Sequence, residues 1–120
     1  MKLAVTSQGP DMGSSVDPRF GRAKCFVVVD SETKQFSVAD NTQNLNAAQG
    51  AGIQAGRKVV ELGAQAVITG HVGPKAFATL QAGSVKVYTG ATGTVAEAVE
   101  QFKTGKLKLS SGADVEGHWV

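Results

Sequence analysis

The second half of this 120-residue chain alternates helical and extended patterns, and that order leaves few folds open. From Ala48 onward Ala51, Ala55, Val59 and Leu62 recur at spacings of three and four, Ile53 and Val60 widen the stripe, and Gly63 is placed to cap the helix. "AQAVIT" (64–69) is the short apolar run of a buried strand. "GPKAFATLQAG" (73–83) starts a second helix with Pro74 in its first turn, where the missing N–H has no partner to lose, and ends it at Gly83. "SVKVY" (84–88) is again a strand, and Thr94 with Glu97 has capping-box spacing ahead of Val95, Ala98, Val99 and Phe102. "KLKL" (106–109) has the pattern of a short edge strand.

The first half supplies the rest of a sheet. "KLAVT" (2–6) alternates and runs into the polar, glycine-bearing loop "SQGPDMGSS"; "KCFVVVD" (24–30) and "QFSVAD" (35–40), joined by "SETK", read as an antiparallel hairpin. Crossovers between parallel strands are right-handed, so the first, fourth and fifth strands are predicted to form a parallel centre with the hairpin on one side. The expected organisation is one α/β domain over residues 1–109 and a tail over 110–120. In open sheets of this kind ligands bind beyond the carboxyl ends of the parallel strands, which here means the loops 7–24, 70–74 and 89–93.

Composition narrows the function. A formal charge of +2 and 6% aromatic residues provide neither the basic footprint nor the stacking platforms of a nucleic-acid binder. A single cysteine forms no internal disulfide and no multi-thiolate zinc or iron–sulfur site. The start "MKLAVTSQG" lacks the pattern of a signal peptide and no apolar run has membrane length, so a cytoplasmic location is expected by default, with no membrane partner.

Four motifs carry chemistry. "GAGIQAG" (50–56) matches a dinucleotide-binding spacing, but a polar loop precedes it and no acidic residue follows at the ribose position. Its small residues suit close helix packing, or an open helix N-terminus facing an anion. "TGHVGPKAF" (69–77) puts His71 in a strand-to-helix turn, as a surface histidine or a ligand. "TGATGT" (89–94) offers hydroxyls and amides without the lysine of a P-loop. "SVDPRFGRAKCF" (15–26) holds Arg19 and Arg22, whose forks suit multi-oxygen anions or an internal pair with Asp17 or Asp11. Cys25 closes that stretch as a small buried hydrophobe, or as a thiol whose pKa Arg22 and Lys24 lower; no adjacent histidine or acid completes a nucleophile–base pair. His118 lies in the tail.

Taken together, "SSVDPRFGRAKCFVVVD", "NLNAAQGAGIQAGRKVVELGAQAVITGHVGPKAFATLQAGSVKVY" and "GTVAEAVEQFKTGKL" resemble the dinitrogenase iron-molybdenum cofactor biosynthesis family, which includes NifX, the core of NafY and the C-terminal part of NifB. The resemblance implies a three-layer α/β/α, ribonuclease H-like fold around a five-stranded mixed sheet with strand two antiparallel. It also implies a nitrogenase accessory factor-like, non-enzymatic role: binding an anionic metal–sulfur cluster of iron, molybdenum or copper, with a cluster donor or acceptor protein as partner. Residues carried over as cluster-binding are Ser14, Ser15, Arg19, Phe20, Gly21, Arg22, Gln49, Gly50, Gly52, Gly73 and Pro74, joined by Thr89 and Gly90 from the third loop, with His71 and Cys25 as candidate metal ligands. A preformed cluster brings its own sulfides, so amides and arginines suffice to hold it. A cluster-free scaffold module, or an enzyme acting on a small phosphorylated substrate, would use the same loops.

Overall fold

Leu3, Ala4, Val5, Thr6 and Ser7 are all buried, so the first strand, despite its alternating pattern, is covered on both faces, as its expected place in the parallel centre requires. The computed structural model describes residues 1–42 and 50–112. Nine elements follow in order: β1 (Lys2–Ser7), β2 (Cys25–Asp30), β3 (Phe36–Asp40), α1 (Ala51–Glu61), β4 (Ala66–Ile68), α2 (Pro74–Ala82), β5 (Lys86–Thr89), α3 (Val95–Lys103) and β6 (Lys108–Leu109). Gln49, the start of the first helical pattern at Ala48, and the tail from residue 113 with His118 lie outside the described residues.

The strands lie in the order β3-β2-β1-β4-β5-β6. β1 is parallel to β4 and β4 to β5, while β2 runs antiparallel to both β1 and β3, as the crossover argument requires. Among the described residues the sheet has six strands rather than the expected five. Gly105, at φ 73°, helps turn the chain back after α3, Leu107 packs on the α3-side core, and Lys108 and Leu109 then pair with Thr89 and Tyr88. A two-residue strand is enough, because Ser110 N–H extends the contact to Val87 O at 2.8 Å.

Two apolar cores sandwich the sheet. Ala55 and Val59 of α1 and Ala76 and Leu80 of α2 meet Ala4, Phe26, Val28, Val67 and Val87 on one face. Val95, Ala98 and Val99 of α3 meet Leu3, Val5, Val27, Val29 and Ile68 on the other. Each fully buried Val, Leu or Phe stabilises the fold by about 1.5–3 kcal/mol relative to exposure. The result is a three-layer α/β/α arrangement, two helices against one.

Of the "GAGIQAG" glycines, Gly56 serves packing, whereas Gly50 supplies a left-handed residue before α1 with nothing near its Cβ position. A Cβ on Gly56 would stand 3.0 Å from Thr79 Cγ2 of α2, so glycine lets α1 and α2 approach without pushing Thr79 aside. Gly63, at φ 76°, ends α1 with its N–H on Val60 O, as the sequence predicts. Gly83 caps α2 with an ordinary negative φ, and the left-handed residue is instead Ser84 at φ 62°. Gly83 is there because a Cβ would collide with the Val60 side chain.

Candidate functional site

The long segment between β1 and β2 is stitched back over the carboxyl ends of the parallel strands. Three short bridges hold it: Ser7 with Val16, Ser15 with Thr94, and Arg19 with His71. In the last, His71 N–H donates to Pro18 O at 2.8 Å and Phe20 N–H donates to His71 O at 3.2 Å. Asp17 N–H reaches Thr6 O at 2.9 Å, and Val16 N–H reaches Gly93 O at 2.9 Å. Beneath the crossing, the buried Thr6 hydroxyl lies 2.7 Å from Asp17 O and 2.9 Å from the Thr69 hydroxyl, so the polar residues that end β1 and follow β4 are satisfied by the loop. Gly70 has no room for a side chain, since a Cβ would lie 2.7 Å from Pro18 Cα and 2.8 Å from Pro18 O.

This stitching joins the "DPRFGR" and "HVGP" motifs at one place. Arg19 and His71 are both exposed there, side by side in the backbone. Arg19 Nε stands 4.0 Å from Asp17 Oδ1, and the same carboxylate oxygen accepts from Arg19 N–H at 3.0 Å. Asp17 is 5% exposed, and burial raises its pKa although both bonds to Arg19 pull the other way. The internal pair that the sequence allowed therefore exists, with the guanidinium still half in solvent.

The other carried-over residues divide. Phe20 is fully buried, its ring tilted against that of Phe26 with centroids 5.7 Å apart, and contributes only its backbone to the edge; Gly21 is buried beside it. Arg22 is half-buried. Ser14 uses its hydroxyl to accept from Asp11 N–H at 3.1 Å and its carbonyl to accept from Val95 N–H at 2.9 Å, while Ser15 is exposed. Thr89 is buried, and Gly90, exposed at φ 87°, turns the chain out of β5.

Helix starts at this edge differ. α1 begins at Gly50, in the left-handed region at φ 82°, with no side-chain cap, and Gly52 is buried one step inside. α2 begins at Gly73 and Pro74, also with no side-chain cap. α3 is closed: Thr94 Oγ1 accepts from Glu97 N–H, Glu97 Oε1 accepts from Thr94 N–H, and Val95 and Ala96 donate to the carbonyls of Ser14 and Met12. The "TGATGT" loop therefore spends its donors on the fold.

Cys25 sits under the loop. It is 7% exposed, its Sγ is 3.2 Å from Gly9 O and 3.7 Å from Ser7 O, and burial pushes its thiol up. Among the described residues no three His, Cys, Asp or Glu side chains converge as a metal-binding group. Asn41 went unread in the sequence: it is fully buried and donates through Nδ2 to Ala23 O at 2.8 Å, pinning the end of the arginine segment to the exit of β3. Its one sequence signal is an amide directly after a strand, which is too common to single out.

A profile of the family described as dinitrogenase iron-molybdenum cofactor matches residues 1–105. The apo form of the orange protein from Desulfovibrio gigas is 42% identical and superimposes with a TM-score of 0.92 over 95% of this chain and 96% of that one. The Thermotoga protein TM1290, of the DUF35 family, is 37% identical with a TM-score of 0.83 over 97% and 98%. The uncharacterized protein MJ0580 of Methanocaldococcus jannaschii is 29% identical over 111 residues, 90% of each chain. On the match over residues 1–105, this chain belongs to the dinitrogenase iron-molybdenum cofactor family.

Proposed function

We propose that this chain holds an anionic metal–sulfur cluster as cargo at the edge built by residues 8–24 and the β4–α2 turn, and passes it on without transforming it. The observation that carries the reading is the Arg19–His71 bridge, which sets a half-exposed guanidinium and an exposed imidazole beside a helix start that no side chain caps. A bare metal ion would need several protein ligands, and no such group converges among the described residues. A preformed cluster supplies its own sulfides and asks the protein for positive charge, N–H donors and at most one or two side-chain ligands.

In this reading Arg19 and Arg22 supply the charge, and His71 is the side chain best placed to reach a metal. Gly50, Gly52, Gly73, Pro74, Ser15 and Gly90 shape the approach, with Gln49 as a further donor. Phe20, Gly21, Ser14 and Thr89 act through the backbone that positions them. Cys25 would ligate only after releasing Gly9 O, and with a raised pKa and no base beside it the thiol is no nucleophile. The cluster is of the iron-molybdenum or molybdenum–copper sulfide kind, and its delivery implies an acceptor protein.

The test is anaerobic reconstitution with tetrathiomolybdate and copper, or with iron and sulfide, followed by metal analysis and visible absorption. Wild type is expected to retain metal and colour through gel filtration. Arg19→Ala with Arg22→Ala is expected to weaken uptake about tenfold or more, since charge-assisted hydrogen bonds contribute about 1.5–3 kcal/mol each, while the circular dichroism spectrum stays unchanged. A protein that remains metal-free under every condition overturns the reading.

A further inference from the structure

Among the described residues Asp17 is the only buried carboxylate, 5% exposed where the loop crosses the end of β1. A carboxylate placed there loses hydration that a neutral residue would not have had to give up. Its position is fixed from three sides. Asp17 N–H donates to Thr6 O at 2.9 Å, the buried Thr6 hydroxyl donates to Asp17 O at 2.7 Å, and Asp17 Oδ1 accepts from Arg19 N–H at 3.0 Å. The turn at Pro18 that the last bond closes needs an acceptor on residue 17, which an amide oxygen would supply as well. The fold therefore has no use for the negative charge itself.

The cation that faces this charge is held far more loosely. The Arg19 side chain is 52% exposed, its Nε stands 4.0 Å from Asp17 Oδ1, and among the described residues no other carboxylate pairs with it. An ion pair of that length and exposure is weak. The guanidinium, on its flexible stem, can leave, whereas the carboxylate cannot follow. When it leaves, Oδ1 keeps Arg19 N–H, so the buried oxygen is not orphaned and the exchange costs little. A fixed anion and a movable cation make an exchange pair, and the cation stands in the bridge beside His71.

We propose that Asp17 is the resident counter-ion of the cargo site, an inference that rests on the cluster reading above. Its carboxylate holds the Arg19 guanidinium while the edge is empty, and an arriving anion takes the guanidinium over. As the cargo leaves, Arg19 returns to Asp17. The empty site is thus stabilised by a pair that the loaded site lacks, and that difference is subtracted from the affinity for the anion. Retention is weakened and hand-over is eased. Asp17 is a positioning residue in this scheme: it touches no cargo and acts through Arg19 alone.

The test is anaerobic titration of the full chain with tetrathiomolybdate at about pH 8, far above the carboxylate range. Asp17→Asn keeps the Oδ1 acceptor and removes the charge. It is expected to lower the dissociation constant about three- to fivefold relative to wild type, the scale of a half-exposed ion pair. In an Arg19→Ala background the same substitution is expected to change nothing, because its effect passes through the guanidinium. Wild type itself gives a second readout: the Arg19 Nε–H signal in the NMR spectrum should move when tetrathiomolybdate is added. An unchanged or higher constant for Asp17→Asn, equal tightening in the Arg19→Ala background, or an Nε–H signal that the anion leaves in place overturns the proposal while the cluster reading stands. Wild type that takes up no tetrathiomolybdate also overturns it, and if reconstitution with copper or iron fails as well, the cluster reading falls with it.

Discussion

The start of α3 and the start of α2 lie at the same sheet edge, yet the chain treats them in opposite ways. At α3 a capping box and two loop carbonyls take up the first amide donors. At α2 the first residues are Gly73 and Pro74, no side chain caps the end, and the neighbouring side chains are Arg19 and His71. α1, starting on a left-handed Gly50, resembles α2. Unpaired donors at a helix start are tolerable only where water or a ligand meets them. The difference separates the helix start that holds the loop down from the two that no side chain caps, where the proposed anion would sit.

The strongest blow to the comparison falls where loop and strand cross. Gly70→Val would drive a side chain into Pro18, and a destabilisation of about 3 kcal/mol is expected from overpacking, read as a lowered urea midpoint with loss of cluster uptake. If stability fell and uptake survived, the crossing would not be what assembles the site. Gly50→Ala tests the open start of α1. Nothing crowds its Cβ, so the loss of about 1–2 kcal/mol is a backbone effect alone, and Gly50→Asn should recover most of it.

Thr94→Ala opens the closed end, and thermal unfolding should register a loss of about 1 kcal/mol, with cluster uptake unchanged. Reduced uptake in that variant would place α3 within the binding edge and erase the distinction. The smallest effect concerns Asp17. Because burial raises its pKa, the folded state keeps this proton to higher pH than the unfolded chain does. Its contribution to stability is therefore full below the ordinary value of 3.8 and declines as pH rises through the raised value. Asp17→Asn keeps an acceptor for Arg19 N–H and should remove that part of the decline, visible as a smaller difference in urea midpoint between about pH 4 and pH 7. It also frees the Arg19 guanidinium from a competing carboxylate, so cluster uptake should strengthen rather than weaken.

Much of this molecule was legible because its signals are local. The capping box at Thr94 and Glu97, Gly63 past the end of α1 and the parallel centre of the sheet each follow from rules that act within a few residues or along one crossover. The sixth strand was harder to count. "KLKL" is visible as a strand pattern, but whether two residues make a strand depends on the edge of β5 being free to receive them.

The site was legible only as a set of types. Arginines, a histidine and glycines in three loops lead to the expectation of an anion site at the carboxyl edge, because their chemistry survives any arrangement. Which of them share a place is set by contacts between residues dozens of positions apart: Pro18 against Gly70, Arg19 against His71, Ser14 against Val95. The same contacts explain why Phe20, read as a binding residue, is core, and why the "TGATGT" donors are already used. By itself, then, the sequence determined the elements and their order, and it placed the arginines, histidine and glycines in the loops, since these depend on residue type and near neighbours. The tertiary structure decided which helix starts stay open and which arginine stands beside the histidine, because a hydrogen-bond donor is available only if nothing brought close by the fold has claimed it.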